Sequence, residues 1–469
     1  MTEAQLEALG PALATFMERW VLHCRYAPTF DHMRTYVRGL LSDLPRKTAE
    51  PIAMAAGTPV RTLQEFLRDH LWDHDALSQD IRTHVAQLLP TLPTDDLGTV
   101  GLLDETSAPK KGDKTPAVAR QYLGCLGKID DGIVTVHLGV CRQTYKTLLD
   151  ADLFLPACWS DDRKRCRAAG IPDDVVHRPK WKMALEQLDR ARTGGVKLDW
   201  LTFDSEYGRC PEFLYQLDQR TQLFAGDVPR SFRCLATTTS AERPEKKTKG
   251  QEAEIVVRNA SCFRSQPWTV LRLKRQTTED HLWRVKSGRV WVSGEGGWST
   301  RTYWLLWLCS EQTGDECFVV SNAAEDCPVK RLVRVAFIRG HVEHAFRICK
   351  SELGFTHFEG RNYVALMRHL RLSVATMAFV AEHTQRLRGE KSAGDSRASV
   401  SGVGIPEPPV AGPGTRQRRT GVGVGCHRLS PKTQPGCHTV QTKTRRPTTT
   451  TQETKKTQTK TTRTVKVAL

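Results

Sequence analysis

The spacing of apolar positions changes period several times along the chain, and each change marks a different kind of element. Up to about residue 95 the apolar residues recur at helical spacing. The segments Leu6–Cys24, Phe30–Leu41, Thr48–Ala56, Val60–Trp72 and Asp75–Leu89 are predicted helices, with Asp31 and Thr58 as cap positions. Two of these helices are joined by Gly57-Thr58-Pro59 and have the shape of a helix-turn-helix. In that reading Arg61, Gln64 and Arg68 of the second helix face DNA; a plain helical bundle fits the same pattern. From Thr99 the period shortens. Thr99–Asp104, Arg120–Gly127 and Ile133–Cys141 are predicted strands, with a turn at Gly132. Predicted helices at Trp159–Ala169, Lys180–Arg192 and Pro211–Gln219 alternate with strands at Leu198–Phe203 and Gln222–Gly226. Such β-α-β order argues for strands paired in parallel.

Residues 227–300 break this alternation. Ile255–Arg258, Thr269–Lys274, Trp283–Lys286 and Val290–Ser293 read as short strands rich in Arg and Lys. Trp268, Trp283, Trp291 and Trp298 are interleaved with them, as the core of a small sheet or as a surface that stacks unpaired bases. Tyr303–Cys309 and Glu316–Val320 are expected to resume the main sheet. Lys330–Leu353 and the apolar Tyr363–Arg388 are expected as helices. Beyond Arg388 the pattern ends: residues 389–469 hold 15 Lys plus Arg against 4 Asp plus Glu and few apolar residues. Such a segment cannot bury enough surface to fold alone and is expected to be a disordered basic tail.

Candidate chemistry lies on the Lys330–Leu353 helix. At 100° per residue, Arg339, Glu343 and Lys350 fall within about 40° of one another. Val342, Ala345, Phe346, Cys349 and Leu353 fill the neighbouring, apolar sector. The stripe alone reads as the charged flank of an amphipathic helix. Two other acids change the picture: Asp104 and Asp204 each end an apolar run, and the ends of buried strands are where open α/β sheets carry their sites. Two such Asp and one Glu could hold a pair of Mg²⁺ ions, with Mn²⁺ as a substitute, for in-line phosphoryl displacement. Lys110 and Lys111 lie six and seven residues past Asp104, and are expected to reach a phosphate near the metals or to sit in a solvated loop.

The order Asp104, Asp204, Glu343, with Arg339-x3-Glu343-x6-Lys350 around the glutamate, resembles the DDE transposases of bacterial insertion sequences. It is similar to the branch with a Tyr-x2-Arg-x3-Glu-x6-Lys signature and a β-rich insertion before the glutamate. Leu103-Asp-Glu-Thr106, Ala119-Arg-Gln-Tyr-Leu-Gly124, Phe203-Asp-Ser-Glu-Tyr-Gly208 and Lys350-Ser-Glu-Leu-Gly354 look like that family's blocks, and the likeness runs from Tyr36 to Glu382. One position departs: the signature tyrosine falls on Ala336, beside Phe337. The resemblance implies an α/β chain with an RNase H-like mixed sheet flanked by helices. Its parts would be a helical, DNA-binding domain (1–95), a catalytic domain in two pieces (96–226 and 301–388), the β-rich insertion (227–300) and the tail (389–469). Asp104, Asp204 and Glu343 would be the catalytic, metal-binding triad, and Arg339 and Lys350 would contact DNA phosphates. The implied partners are insertion-sequence ends and target DNA, bound by a homodimer. Two other readings stay open: a nuclease without strand transfer, and an inactive DNA-binding descendant.

Composition adds limits. Lys and Arg exceed Asp and Glu by 17, which suits a polyanionic partner. The 14 cysteines include no Cys-x-x-Cys pair and read as reduced thiols; Cys426-His427 and Cys437-His438 fall in the low-complexity tail. The N-terminus is polar and acidic, unlike a signal peptide, and the most apolar segment, Tyr363–Ala381, carries Arg368, His369 and Arg371. A cytoplasmic, nucleoid-associated protein with no membrane partner is the expectation.

Overall fold

The N-terminal helices form because their apolar stripes meet around one core. In the computed structural model, which describes residues 8–237, 242–273, 281–294 and 296–400, these are α1 (Leu9–Glu18), α2 (Ala27–Leu41), α3 (Ala49–Ala55), α4 (Val60–Arg68) and α5 (His74–Leu88). Met17, Trp20, Met33, Tyr36, Leu40, Ile52, Phe66, Leu77 and Val85 are buried among them. Pro28 lies in the first turn of α2, where its missing N–H costs nothing. Asp73 caps α5, its carboxylate accepting from the Asp75 and Ala76 amides at 3.0 and 2.9 Å. The expected caps differ: Asp31 lies inside α2, and Pro59 immediately precedes α4. The helix-turn-helix shape of α3 and α4 is present, with Gly57 at φ +63° in the turn. Leu63, Phe66 and Leu67 of α4 are buried, and Arg61, Gln64 and Arg68 are exposed.

The central sheet is a meander followed by parallel strands. β1 (Val100–Pro109), β2 (Ala119–Leu123), β3 (Lys128–Arg142) and β4 (Tyr145–Leu153) pair antiparallel, with β2 and β4 both on the outer side of β3. Helices α6 (Ala157–Ser160), α7 (Arg163–Ala168) and α8 (Lys180–Thr193) then lead to β5 (Trp200–Thr202), which pairs parallel to β1. After α9 (Ser205–Gly208) and α10 (Pro211–Gln219), β6 (Ala225–Val228) lies beside β5 through a parallel bridge at Leu201 and Phe224. This mixed sheet with flanking helices is the RNase H-like arrangement expected. Two strand expectations change. β1 runs on to Pro109, because β3 hydrogen-bonds to it as far as Gly132. The strand β4 was absent from the pattern.

The insertion builds a second sheet outward from β6. After β7 (Arg233–Ala236) and β8 (Gln251–Glu252) come α11 (Ala253–Asn259) and α12 (Ser261–Arg264). The strand expected at Ile255–Arg258 is therefore helical; its buried residues, Ala253, Val256 and Val257, follow helical spacing. β9 (Thr269–Leu273), β10 (His281–Gly294), β11 (Gly297–Trp298), β12 (Tyr303–Ser310) and β13 (Glu316–Ser321) complete the order β6-β13-β12-β10-β7-β8, with β9 and β11 on β10. β12 and β13 thus belong to this sheet rather than resuming the first, since β12 pairs with β10 from Tyr303 to Ser310. Trp283, Trp291 and Trp298 are buried in it; Trp268 is half-buried, 4.7 Å from the Trp307 ring.

Three helices close the described chain: α13 (Val329–Ile338), α14 (Gly340–Ser351) and α15 (Tyr363–Val400). The single helix expected at Lys330–Leu353 is interrupted at Arg339. Tyr363–Arg388 is long and apolar enough to cross a membrane, but 83% of its apolar window is buried in the fold. Its cations face protein groups. Arg368 donates to the carbonyls of Phe66, Leu67 and Trp72. Arg371 pairs with Asp150 and Asp152 of β4; Arg190 of α8 also reaches both, and Arg82 of α5 reaches Asp150. The described residues up to 393 accordingly belong to one compact unit. Helix α15 passes the boundary expected at 389, and the rest of the expected tail, 401–469, lies outside the described residues with its Cys-His pairs.

Candidate active site

The register of β1 and β5 brings the first two acids together. Leu102 stands opposite Thr202, so Asp104 and Asp204, each two residues further on, emerge side by side. Asp104 sits in mid-strand, where Oδ1 accepts from the Glu105 amide at 2.7 Å and Oδ2 is 3.3 Å from Nη1 of Arg339. Asp204 caps α9, accepting from the amides of Glu206 and Tyr207 at 3.0 and 3.4 Å. A third acid, the half-buried Asp227 of β6, lies 3.8 Å from Nε of Arg339 through Oδ2. Its amide donates to the Phe203 carbonyl at 3.0 Å, fixing it beside Asp204. The close approach of α9 to β6 needs Gly208, where a Cβ would meet the Asp227 carbonyl oxygen at 1.9 Å.

Arg339 occupies the helix break and links these groups to α14. Glu343, one turn further on, is exposed, and its charge acts on Arg339 together with those of Asp227, Asp104 and Asp204. Burial disfavours the Arg339 cation, but the four acids outweigh it and raise its pKa. One guanidinium is too little for them. Burial pushes Asp104 up to about 7, against Arg339 and with help from Asp204. It pushes Asp227 up to about 6 and raises Asp204. Among the described residues, no three His, Cys, Asp or Glu side chains stand close enough to hold a metal ion as arranged. The donor chemistry nevertheless fits a hard divalent cation: clustered carboxylate oxygens carrying more negative charge than the protein neutralises.

The remaining expected residues are placed differently from one another. Val342, Ala345, Phe346, Cys349 and Leu353 are all buried, as the periodicity predicts, and Phe346 and Phe355 pack on His137, across from Asp104 in β3. Lys350, at the edge of this face, is half-buried; burial opposes protonation of His137, and the Lys350 charge adds to it. Arg339 points at carboxylates. Lys110 does not reach the acids: β1 separates it from Asp104 by six residues, about 20 Å of extended chain. Its Nζ donates to the Thr356 and Phe358 carbonyls at 3.0 and 2.6 Å, and burial lowers its pKa to about 8. Lys111, next to it, is exposed. Ala336 is buried with its carbonyl 3.4 Å from Oγ1 of Thr202, and Phe337 packs on Trp283 of the second sheet.

Three neighbours of the site had not been singled out. Asp227 follows the apolar run Leu223–Gly226, the same acid-after-strand signal that identified Asp104 and Asp204. Glu105 forms an ion pair with Lys180 and lies near enough to Asp204 for their charges to interact. The Tyr207 hydroxyl is buried near Glu105, Asp204 and Asp104 and has no hydrogen-bond partner among the described residues.

Two comparisons bear on this geometry. A family described as DDE superfamily endonuclease matches residues 25–289, more than half of the chain. That span includes Asp104, Asp204 and Asp227 and stops before Arg339 and Glu343. A "Probable transposase for insertion sequence element IS701" of Microchaete diplosiphon is 32% identical over 185 residues, which is 39% of this chain and 44% of that protein.

Proposed function

This chain belongs to the DDE superfamily endonucleases, and from that premise we propose that it is a transposase that cuts the ends of an insertion sequence and joins the 3′ hydroxyl to target DNA. The observation that carries this reading is the convergence of Asp104 and Asp204, on parallel neighbours β1 and β5, with a helix that presents Glu343 one turn beyond Arg339. The name of the insertion-sequence relative, which the chain matches over less than half its length, supports the substrate class.

Asp104, Asp204 and Glu343 would hold divalent cations, Mg²⁺ or Mn²⁺. Such cations lower the pKa of bound water or hydroxyl and stabilise the leaving oxygen of a phosphodiester. The protein's own contribution is placement. The sheet fixes the two aspartates, and the exposed Glu343 faces the side from which DNA arrives. Lys350, two turns along α14, supplies positive charge to the same face. On α4, Arg61, Gln64 and Arg68 present a recognition surface; in the free protein the two arginines are paired with Glu65 and Asp69. A homodimer would hold the two ends.

The test is single-turnover reaction of a duplex carrying the element's end, with Mg²⁺ or with chelator. Mg²⁺-dependent cleavage followed by joining supports the proposal. Cleavage without joining points to a nuclease, and binding without cleavage to an inactive DNA-binding protein; either result refutes the transposase reading.

A further inference from the structure

Asp227 is not part of the triad or of the signature that the sequence resembles, yet it shares Arg339 with Asp104. Resting on the divalent-metal reading above, we propose that Asp227 is a positioning residue: it gives Arg339 a second seat, so that the guanidinium can release Asp104 to a divalent cation without leaving the site. Three observations support this. Nη1 of Arg339 donates to Oδ2 of Asp104 at 3.3 Å, so the guanidinium competes with any cation for that oxygen's lone pairs. Nε of the same side chain is 3.8 Å from Oδ2 of Asp227, an ion-pair distance that leaves room to tighten into a hydrogen bond. And Asp227 is anchored. Its amide is bonded to Phe203, and its carbonyl oxygen lies where a Cβ at position 208 would stand, so strand and helix hold it in place as Arg339 shifts.

Arg339 lies between the end of α13 at Ile338 and the start of α14 at Gly340, with helical backbone dihedrals. A small rotation of its side chain there exchanges one carboxylate for the other. The exchange keeps one positive charge beside the clustered acids while the metal-free protein folds, and removes it from Asp104 when a stronger cation arrives. Asp227→Asn takes away the second seat and leaves Arg339 on Asp104.

The experiment uses the full-length protein and titrates Mn²⁺ in the absence of DNA, reading the metal-induced rise in melting temperature; Mg²⁺-dependent end cleavage is followed in parallel. Asp227→Asn should raise the half-saturating Mn²⁺ concentration about tenfold, the usual scale for losing a group that orients a ligand. Asp227→Glu should restore most of that loss. In an Arg339→Ala background, Asp227→Asn should have no further effect on the Mn²⁺ midpoint, because there is no guanidinium left to seat. An equal loss in that background would make Asp227 a direct ligand and overturn the proposal. So would an unchanged midpoint with a lowered melting temperature, which is what a purely structural residue would give. If the wild type binds end DNA but shows no Mn²⁺ response, the divalent-metal reading itself fails, and this inference with it.

Discussion

Arg371→Met tests whether the buried charges of β4 hold the N-terminal helices onto the sheet. Arg371 of α15 pairs with Asp150 and, at 3.1 Å, with Asp152; Arg82 of α5 reaches Asp150 at 3.1 Å, and Arg190 of α8 at 2.8 Å. Asp150 has no exposed side-chain surface. Removing one partner of a buried pair typically costs about 3–5 kcal/mol. Arg82 and Arg190 remain, and Met keeps most of the volume, so the low end, about 3 kcal/mol, applies. Unfolding entropy of about 2.1 cal/mol/K per residue, over roughly 390 residues, makes that a fall of about 4 °C in melting temperature. The pH dependence has a definite sign. Burial would raise the Asp150 pKa, but Arg371, Arg190 and Arg82 outweigh it and hold the value below normal. A depressed carboxylate contributes stability that is present above its unfolded value, near 3.9, and is lost as pH falls through the folded one. The gap between wild type and Arg371→Met should therefore be constant from pH 8 to 5 and narrow below about pH 4. Melting followed by circular dichroism across that range is the assay. A gap under about 1 °C at pH 7, or one that widens on acidification, would refute the reasoning.

Three further outcomes are expected. Glu343→Gln keeps its volume and loses a charge, so end DNA should still bind while Mg²⁺-dependent cleavage disappears; normal cleavage would end the proposed mechanism. Lys110→Met leaves the Thr356 and Phe358 carbonyls without their donor, and should cost about 1–3 kcal/mol of stability in chemical denaturation without changing the salt dependence of DNA binding. Arg61→Ala with Arg68→Ala should weaken end binding and flatten the slope of log K against log salt by about 2, if each arginine leaves its acidic neighbour for a phosphate; an unchanged slope in a binding titration would exclude α4 from the interface.

Where local pattern controls structure, the chain could be read directly. The α14 face is one such case: five apolar positions at helical spacing predict five buried side chains, and all five are buried. The end of β1 was not readable in this way. Glu105, Thr106 and Ser107 look like a polar loop after Asp104, but β3 continues to hydrogen-bond opposite them, and Thr106 and Ser107 are buried within the sheet. That extension is what carries Lys110 away from the acids. β4 was hidden for a related reason. Asp150 and Asp152 interrupt its apolar run, and they are tolerable inside only because three arginines from α5, α8 and α15 reach them. Those partners are 68, 40 and 221 residues distant, outside any local window.

The site shows the same division at a finer scale. An apolar run followed by an acid was enough to find Asp104 and Asp204, and applied once more it reaches Asp227. What no run of residues displays is how charge is balanced among them. On a helical wheel, Arg339 belongs with Glu343 and Lys350 as part of one outward stripe. Its guanidinium nevertheless reaches Asp104 and Asp227 on neighbouring strands, so its role in the free protein is set by those anions. Burial, which Arg339 only partly offsets and Asp204 reinforces, leaves Asp104 with a pKa near 7, which is costly for a folded protein to maintain without a reason. In the function proposed above, divalent cations would supply the missing charge where a second arginine would block the phosphodiester. The under-neutralised acids therefore favour a site built to be completed by metal and DNA over a self-sufficient structural ion pair.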